Sequence, residues 1–258
     1  MKNFVSIMAA FIVAGAFAAD ERIWSFAPEK VDFEYGTTCT KSASGWTLSQ
    51  PKNRIQFFSK DVFEINPDEQ YAVRVKLRGI SPKARIWVVS KNYSESGRDF
   101  GPTAVDADFA ARGHLDAYAH DGATTLKING AEKWQAAKRR SVLAFDVRED
   151  DSDLPNVSYY PVKSIAADGT VELRKPLRRG YSAGTAVRRH FENGPYDTLI
   201  SAVLTPDFKV FRRNITGVSA KGREFTKWLR CTKKVRIGIQ VENGDIELAE
   251  LFFIKMNK

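Results

Sequence analysis

The chain is 258 residues long and carries a formal charge of +9 at pH 7, with 43% hydrophobic and 28% charged residues. Its two cysteines, Cys39 and Cys231, exclude a CxxC redox pair and a cysteine-based metal site. A basic balance of this size suits an acidic polysaccharide, an anionic envelope or nucleic acid, and the N-terminus argues against the last.

Residues 1–19 read as an export leader. Lys2 supplies the positive start, Phe4 to Phe17 is an uncharged apolar run too short to span a bilayer, and Ala16-Phe17-Ala18 gives the small-x-small pattern before Asp20. The mature protein is therefore expected outside the cytoplasm: secreted, periplasmic or on the cell surface. It keeps no transmembrane segment after leader removal and has no intracellular nucleic acid as partner. About 240 residues remain, enough for one large β domain or two modest ones. In an oxidising compartment Cys39 and Cys231 are candidates for one disulfide tying the first strands to the last, the alternative being two independent thiols.

Strand signals dominate from Phe33 onward. In Tyr71 to Arg78 the odd positions are apolar and the even ones small or basic, a period of two, and Asn66-Pro67-Asp68-Glu69 turns the chain just before it. Arg85 to Val89 predicts another strand. In His114 to His120 an extended chain would put His114, Asp116, Tyr118 and His120 on one side, a polar edge with no visible third metal ligand. Residues 122–192 differ in texture: short strands at Ser141–Val147, Tyr160–Ile165 and Thr170–Leu173, a helical piece near Ala131–Lys138, and frequent turns. That pattern predicts a small β-barrel inserted into a larger body formed by 20–121 and 193–258. Near the end, Val235 to Glu242 and Ile246 to Ile254 alternate on either side of Asn243-Gly244, which predicts a closing hairpin.

The order of Phe33-Glu34-Tyr35-Gly36, Gly45-Trp46-Thr47, Asn66-Pro67 with Tyr71-Ala72-Val73, and the segment Val241–Leu251 resembles the jelly-roll carbohydrate-binding modules of the families 4, 9 and 22 type, which are galactose-binding-like sandwiches. The resemblance covers about Val31–Val89 and Leu199–Ile254. It implies an all-β, antiparallel jelly-roll sandwich and a glycan as partner. It also implies a structural calcium, for which Glu34 stands at the matching opening position, while Glu247 and Glu250 stand where an aspartate is usual.

Sugar binding needs flat apolar faces against pyranose rings with polar groups at their edges. Trp87 and Tyr93 share one side of their strand and are the candidate stacking residues. Arg74 and Lys76 line the polar side of another strand and Arg236 that of a third; if all three strands lie in one sheet, they form a basic platform suited to uronic or sulfated glycans. No GxSxG elbow or Gly-rich phosphate loop is present, and no catalytic residues are assigned. The reading is a secreted, non-catalytic carbohydrate-binding protein, with acidic polysaccharide as the candidate ligand. A polysaccharide lyase or glycoside hydrolase and a structural or adhesive surface protein are the alternatives.

Overall fold

The computed structural model describes residues 20–49, 55–134, 139–220 and 222–257; the leader at 1–19 lies outside the described residues. The first strands are β1 (Glu21–Ser25), β2 (Val31–Phe33), β3 (Thr38–Lys41), β4 (Trp46–Ser49), β5 (Ile55–Ser59), β6 (Phe63–Glu64), β7 (Gln70–Gly79), β8 (Arg85–Tyr93) and β9 (Asp99–Phe100). Then come β10 (Ala107–Leu115), β11 (Thr125–Asn129), β12 (Ser141–Phe145), β13 (Tyr159–Ile165), β14 (Thr170–Leu173) and β15 (Ala186–Phe191). The chain finishes with β16 (Asp197–Val203), β17 (Lys209–Thr216), β18 (Lys234–Glu242) and β19 (Ile246–Met256).

Two antiparallel sheets form the larger body. One runs β17-β7-β19-β4-β3 with β1 on β19; the other runs β16-β8-β18-β5-β2 with β6 and β9 at its margins. The pairs nest: β8 bonds β16, β7 bonds β17, β5 bonds β18 and β4 bonds β19. A doubled chain wrapped across two sheets in this way is a jelly roll. The period of two read in Tyr71–Arg78 is realised: Tyr71, Val73, Val75 and Leu77 point inward and are buried. They meet Ile86 and Val88 of β8, Ile237 and Ile239 of β18, and Leu248, Leu251 and Phe253 of β19 in one core. A bulge between Leu248 and Glu250 shifts β19 by one residue, which is why its inward set changes from even to odd positions.

The expected closing hairpin is not formed. Asn243-Gly244 does reverse the chain, but β18 and β19 lie in opposite sheets, so the turn is an arch over the end of the sandwich. The arch is held by the loop after β7: Ile80 and Ser81 donate backbone N–H groups to the Asp245 carbonyl, and Asp245 N–H donates to Ser81 Oγ. An Asn-Gly pair supplies the positive φ of 61° and 127° seen here. It does not choose the strand's partner, and each strand already has two better-matched neighbours.

A closed six-stranded barrel, β10-β11-β14-β13-β12-β15, occupies the connection between β8 and β16. It begins at Ala107, earlier than the boundary expected at 122, because closure requires β10 to bond both β11 and β15. Gly113 in β10 allows that closure, since a Cβ there would meet the Asn129 carbonyl oxygen at 2.5 Å. Leu115, Ile128, Leu143, Phe145, Val171 and Val187 fill the interior, with Tyr181 stacked on Phe145. A third apolar cluster of Phe100, Val105 and Leu229, joined by Tyr159, glues barrel to sandwich. Beside it lies a charged knot. Fully buried Arg188 donates to Asp151 at 2.6 Å and to Asp153 at 2.8 Å, while Arg112 also reaches Asp151. Arg188 Nε–H donates to His190 Nε2, and His190 Nδ1–H donates to the Thr103 carbonyl on the sandwich side.

The expected disulfide is also overturned. Cys39 packs against the sandwich core from β3, Cys231 packs against the junction cluster, and both thiols are free. Different packing sites hold the two side chains, and burial pushes both thiols above their ordinary range. Unreduced protein unfolded in guanidinium is expected to titrate two thiols per chain with a chromogenic disulfide; zero would restore the bridge.

Candidate functional site

In β8, Ile86 and Val88 face the core, so Arg85, Trp87, Val89, Lys91 and Tyr93 face away from it. They form the spine of an outward sheet face, with Trp87 and Tyr93 about 20 Å apart. Gln240 of β18 lies opposite Trp87, Gly238 opposite Val89, and Arg236 opposite Lys91. Glycine at 238 shapes this face, because a Cβ there would sit 2.6 Å from the Phe58 ring. Phe58 packs with Val89 against Trp87 and Tyr196, a small apolar cluster outside the main core. Tyr196 meets Phe58 edge-on at 5.0 Å, and Trp87 remains half-buried with the Arg85 guanidinium 5.2 Å from its ring.

Two hollows open along this spine. A cleft of about 480 Å³ between sandwich and barrel is lined by Lys91, Asp99, Tyr196 and, from the barrel side, Val142, Tyr159 and Glu192. A groove of about 560 Å³ is lined by Tyr93, Arg236, Lys234, Val62 and Glu95. Burial pushes the Tyr196 phenol up; Lys91 opposes the rise, while Tyr35, Glu34 and Asp99 add to it. The charges on the face are balanced. Lys91 pairs with Asp99 at 3.2 Å, Arg236 with Asp32 at 2.5 Å and Lys234 with Glu64 at 2.8 Å. Both cleft carboxylates are taken by cations, Asp99 by Lys91 and Glu192 by Arg174.

The expected single platform is therefore divided. Trp87, Tyr93, Arg236 and Glu34 gather on the β8 sheet, whereas Arg74 and Lys76 stand on the outer side of β7 in the other sheet. The core lies between the two sheets, so the two outer faces look in opposite directions. There Arg74 pairs with Glu250, Arg78 pairs with Glu247, and Lys76 lies 5.7 Å from the Phe208 ring. The Ser42 hydroxyl, joined by Arg78, holds the Glu247 carboxyl below its usual range. The carboxylates that the resemblance would offer to calcium are thus arginine partners on the sheet opposite Glu34, and among the described residues no three His, Cys, Asp or Glu side chains converge to hold a metal. His114 and Asp116 are exposed, with Asp116 accepting a hydrogen bond from Asn129. Phe58 and Tyr196 went unseen in the sequence: Phe58 follows Phe57 and looks like core, and Tyr196 enters only through the return of the chain from the barrel.

Among the described residues no helix is long and apolar enough to cross a membrane. No protein-family model matches the chain, and no curated protein matches it. Among solved structures, the capsid protein VP17 of bacteriophage P23-77 is 11% identical, with 91% of this chain and 96% of that one covered, at a TM-score of 0.17. The VP16–VP17 complex of the same phage is 10% identical, with 90% and 98% covered, at a TM-score of 0.15. Superpositions this loose carry no statement about kinship, and the jelly roll rests on the strand pairing alone.

Proposed function

We propose that the chain is an exported, non-catalytic carbohydrate-binding protein whose glycan lies along the outer face of β8. The half-exposed Trp87 carries this reading: it lies on the outward face of β8, the same strand face that supplies Lys91 to the cleft and Tyr93 to the groove. An indole face stacks on the apolar side of a pyranose, and Gln240, Tyr196 and Lys91 offer hydrogen bonds at ring edges. The span from Trp87 to Tyr93 accommodates several linked sugar rings. Ion-paired cleft carboxylates fit binding better than acid–base work, which needs one carboxyl free to give or take a proton. The leader pattern and the family resemblance support an extracytoplasmic polysaccharide ligand, and the net basic charge supports an acidic one.

Affinity electrophoresis through neutral and uronate-containing polysaccharides tests the assignment. Trp87→Ala is expected to weaken retardation at least tenfold, about 1.4 kcal/mol or more, while Arg74→Ala on the opposite sheet leaves it unchanged. Undiminished retardation in a Trp87→Ala, Tyr93→Ala variant would remove the site. New ultraviolet absorbance on incubation with a uronate polymer would make the protein a lyase instead.

A further inference from the structure

The barrel has a hollow of its own, about 710 Å³, on the far side of the Arg174–Glu192 ion pair from the sandwich cleft. Trp134, Val162 and Ile165 supply its apolar surface, and Arg139, Arg140, Lys163, Arg174 and Arg189 its charge. Glu132 is the single acidic residue among the lining side chains, and its carboxylate already accepts the Gly130 N–H at 2.8 Å. Trp134 is fixed in place: its indole N–H donates to the Arg112 carbonyl at 3.2 Å, and Arg189 lies 5.8 Å from its ring. Arg189 is held from behind by Asp108, and Arg174 by Glu192.

Arg140 and Lys163 are the adaptable members. Arg140 is exposed and has no acidic partner among the described residues; Lys163 pairs only with solvent-exposed Glu172, a contact worth little in water. A ring-sized hollow with an indole at its wall, three guanidinium groups anchored by carboxylates (Arg139 by Asp106, with Arg174 and Arg189) and the two exposed cations Arg140 and Lys163 matches a sugar bearing a carboxylate or sulfate ester. The apolar wall takes the ring and the arginine forks take the anion.

We propose that this hollow is a second, charge-selective subsite that binds an anionic sugar residue. It does not depend on the sandwich face binding glycan. If both sites are real, one acidic chain passes from the cleft over the Arg174–Glu192 pair into the barrel.

Isothermal titration of the full chain with a galacturonate trisaccharide and with its 6-sulfated galactose counterpart separates carboxylate from sulfate recognition. Binding of at least one of the two is expected, weakening as salt rises. Arg140→Ser, Lys163→Ser is expected to reduce that affinity at least tenfold with the unfolding midpoint unchanged, both side chains being exposed. Trp87→Ala is expected to leave trisaccharide binding in the hollow intact, so loss of one site does not imitate loss of the other. No binding of either ligand, binding insensitive to Arg140→Ser, Lys163→Ser, or equal affinity for a short single-stranded oligonucleotide would overturn the proposal.

Discussion

Arg188→Met is expected to cost about 3–5 kcal/mol of folding stability. Arg188 is fully buried, and its two carboxylate partners are nearly so: the Asp153 side chain is 6% exposed and that of Asp151 18%. Methionine fills the volume but strands the Asp153 carboxylate away from water, while Asp151 keeps Arg112 and Arg230 as cationic partners. It also removes the N–H that His190 Nε2 accepts at 3.1 Å. Urea unfolding followed by fluorescence measures the loss. The physical origin is checked in the same experiment, because adding Asp153→Asn to Arg188→Met removes a stranded charge and should return part of the stability. A loss below 1 kcal/mol, or no recovery from the second change, would mean that the knot is solvated rather than structural.

Between pH 6.5 and 4 the contributions of two buried groups to stability should cancel, and one substitution exposes this. Burial pulls His190 down to about 4, with Arg188 adding to the fall and the Thr103 carbonyl, Asp153 and Asp106 opposing it. The unfolded chain therefore takes up this proton first; the stability is full above pH 6.5 and falls by about 3 kcal/mol as pH drops to 4. Asp197 runs the other way. Burial lifts it to about 6 against the pull of Arg223, so the folded chain takes up this proton first and gains about 3 kcal/mol as pH falls from 6 towards 3.8. The two slopes cancel. Asp197→Asn is expected to become acid-sensitive, losing about 3 kcal/mol relative to the parent between pH 6.5 and 4 in urea midpoints, whereas His190→Gln should gain stability over the same interval. An Asp197→Asn profile no steeper than that of the parent would refute the neutral buried imidazole.

Much of the sandwich was legible because each strand has one wet side. Tyr71 to Leu77 and Val235 to Val241 alternate without interruption, and every inward residue they name is buried. The barrel was legible as a change in strand length and turn density, and Thr170–Leu173 was located to the residue. Partnership was not legible. Asn243-Gly244 encodes a reversal, but whether the returning strand bonds its predecessor or crosses to the facing sheet depends on β7 and β8, which lie more than 100 residues upstream. The same blindness merged Arg74 and Lys76 with Arg236 into one platform: polarity on alternate positions says that a face is wet, not which way it looks. The cysteines were misjudged for the related reason that distance along the chain carries no information about approach in space.

Because the barrel hangs from β8 and β16, which bond each other, its two ends leave the sandwich side by side. A separately cored body with adjacent ends behaves, for the rest of the chain, like a short loop. The entropy of closing some hundred residues is met by the barrel's own contacts, and what remains for the sandwich is the cost of a tight connection. Nested jelly-roll pairing is slow because its partners are remote in sequence. Prior collapse of the inserted body brings the innermost pair into register and shortens the search for every pair wrapped outside it.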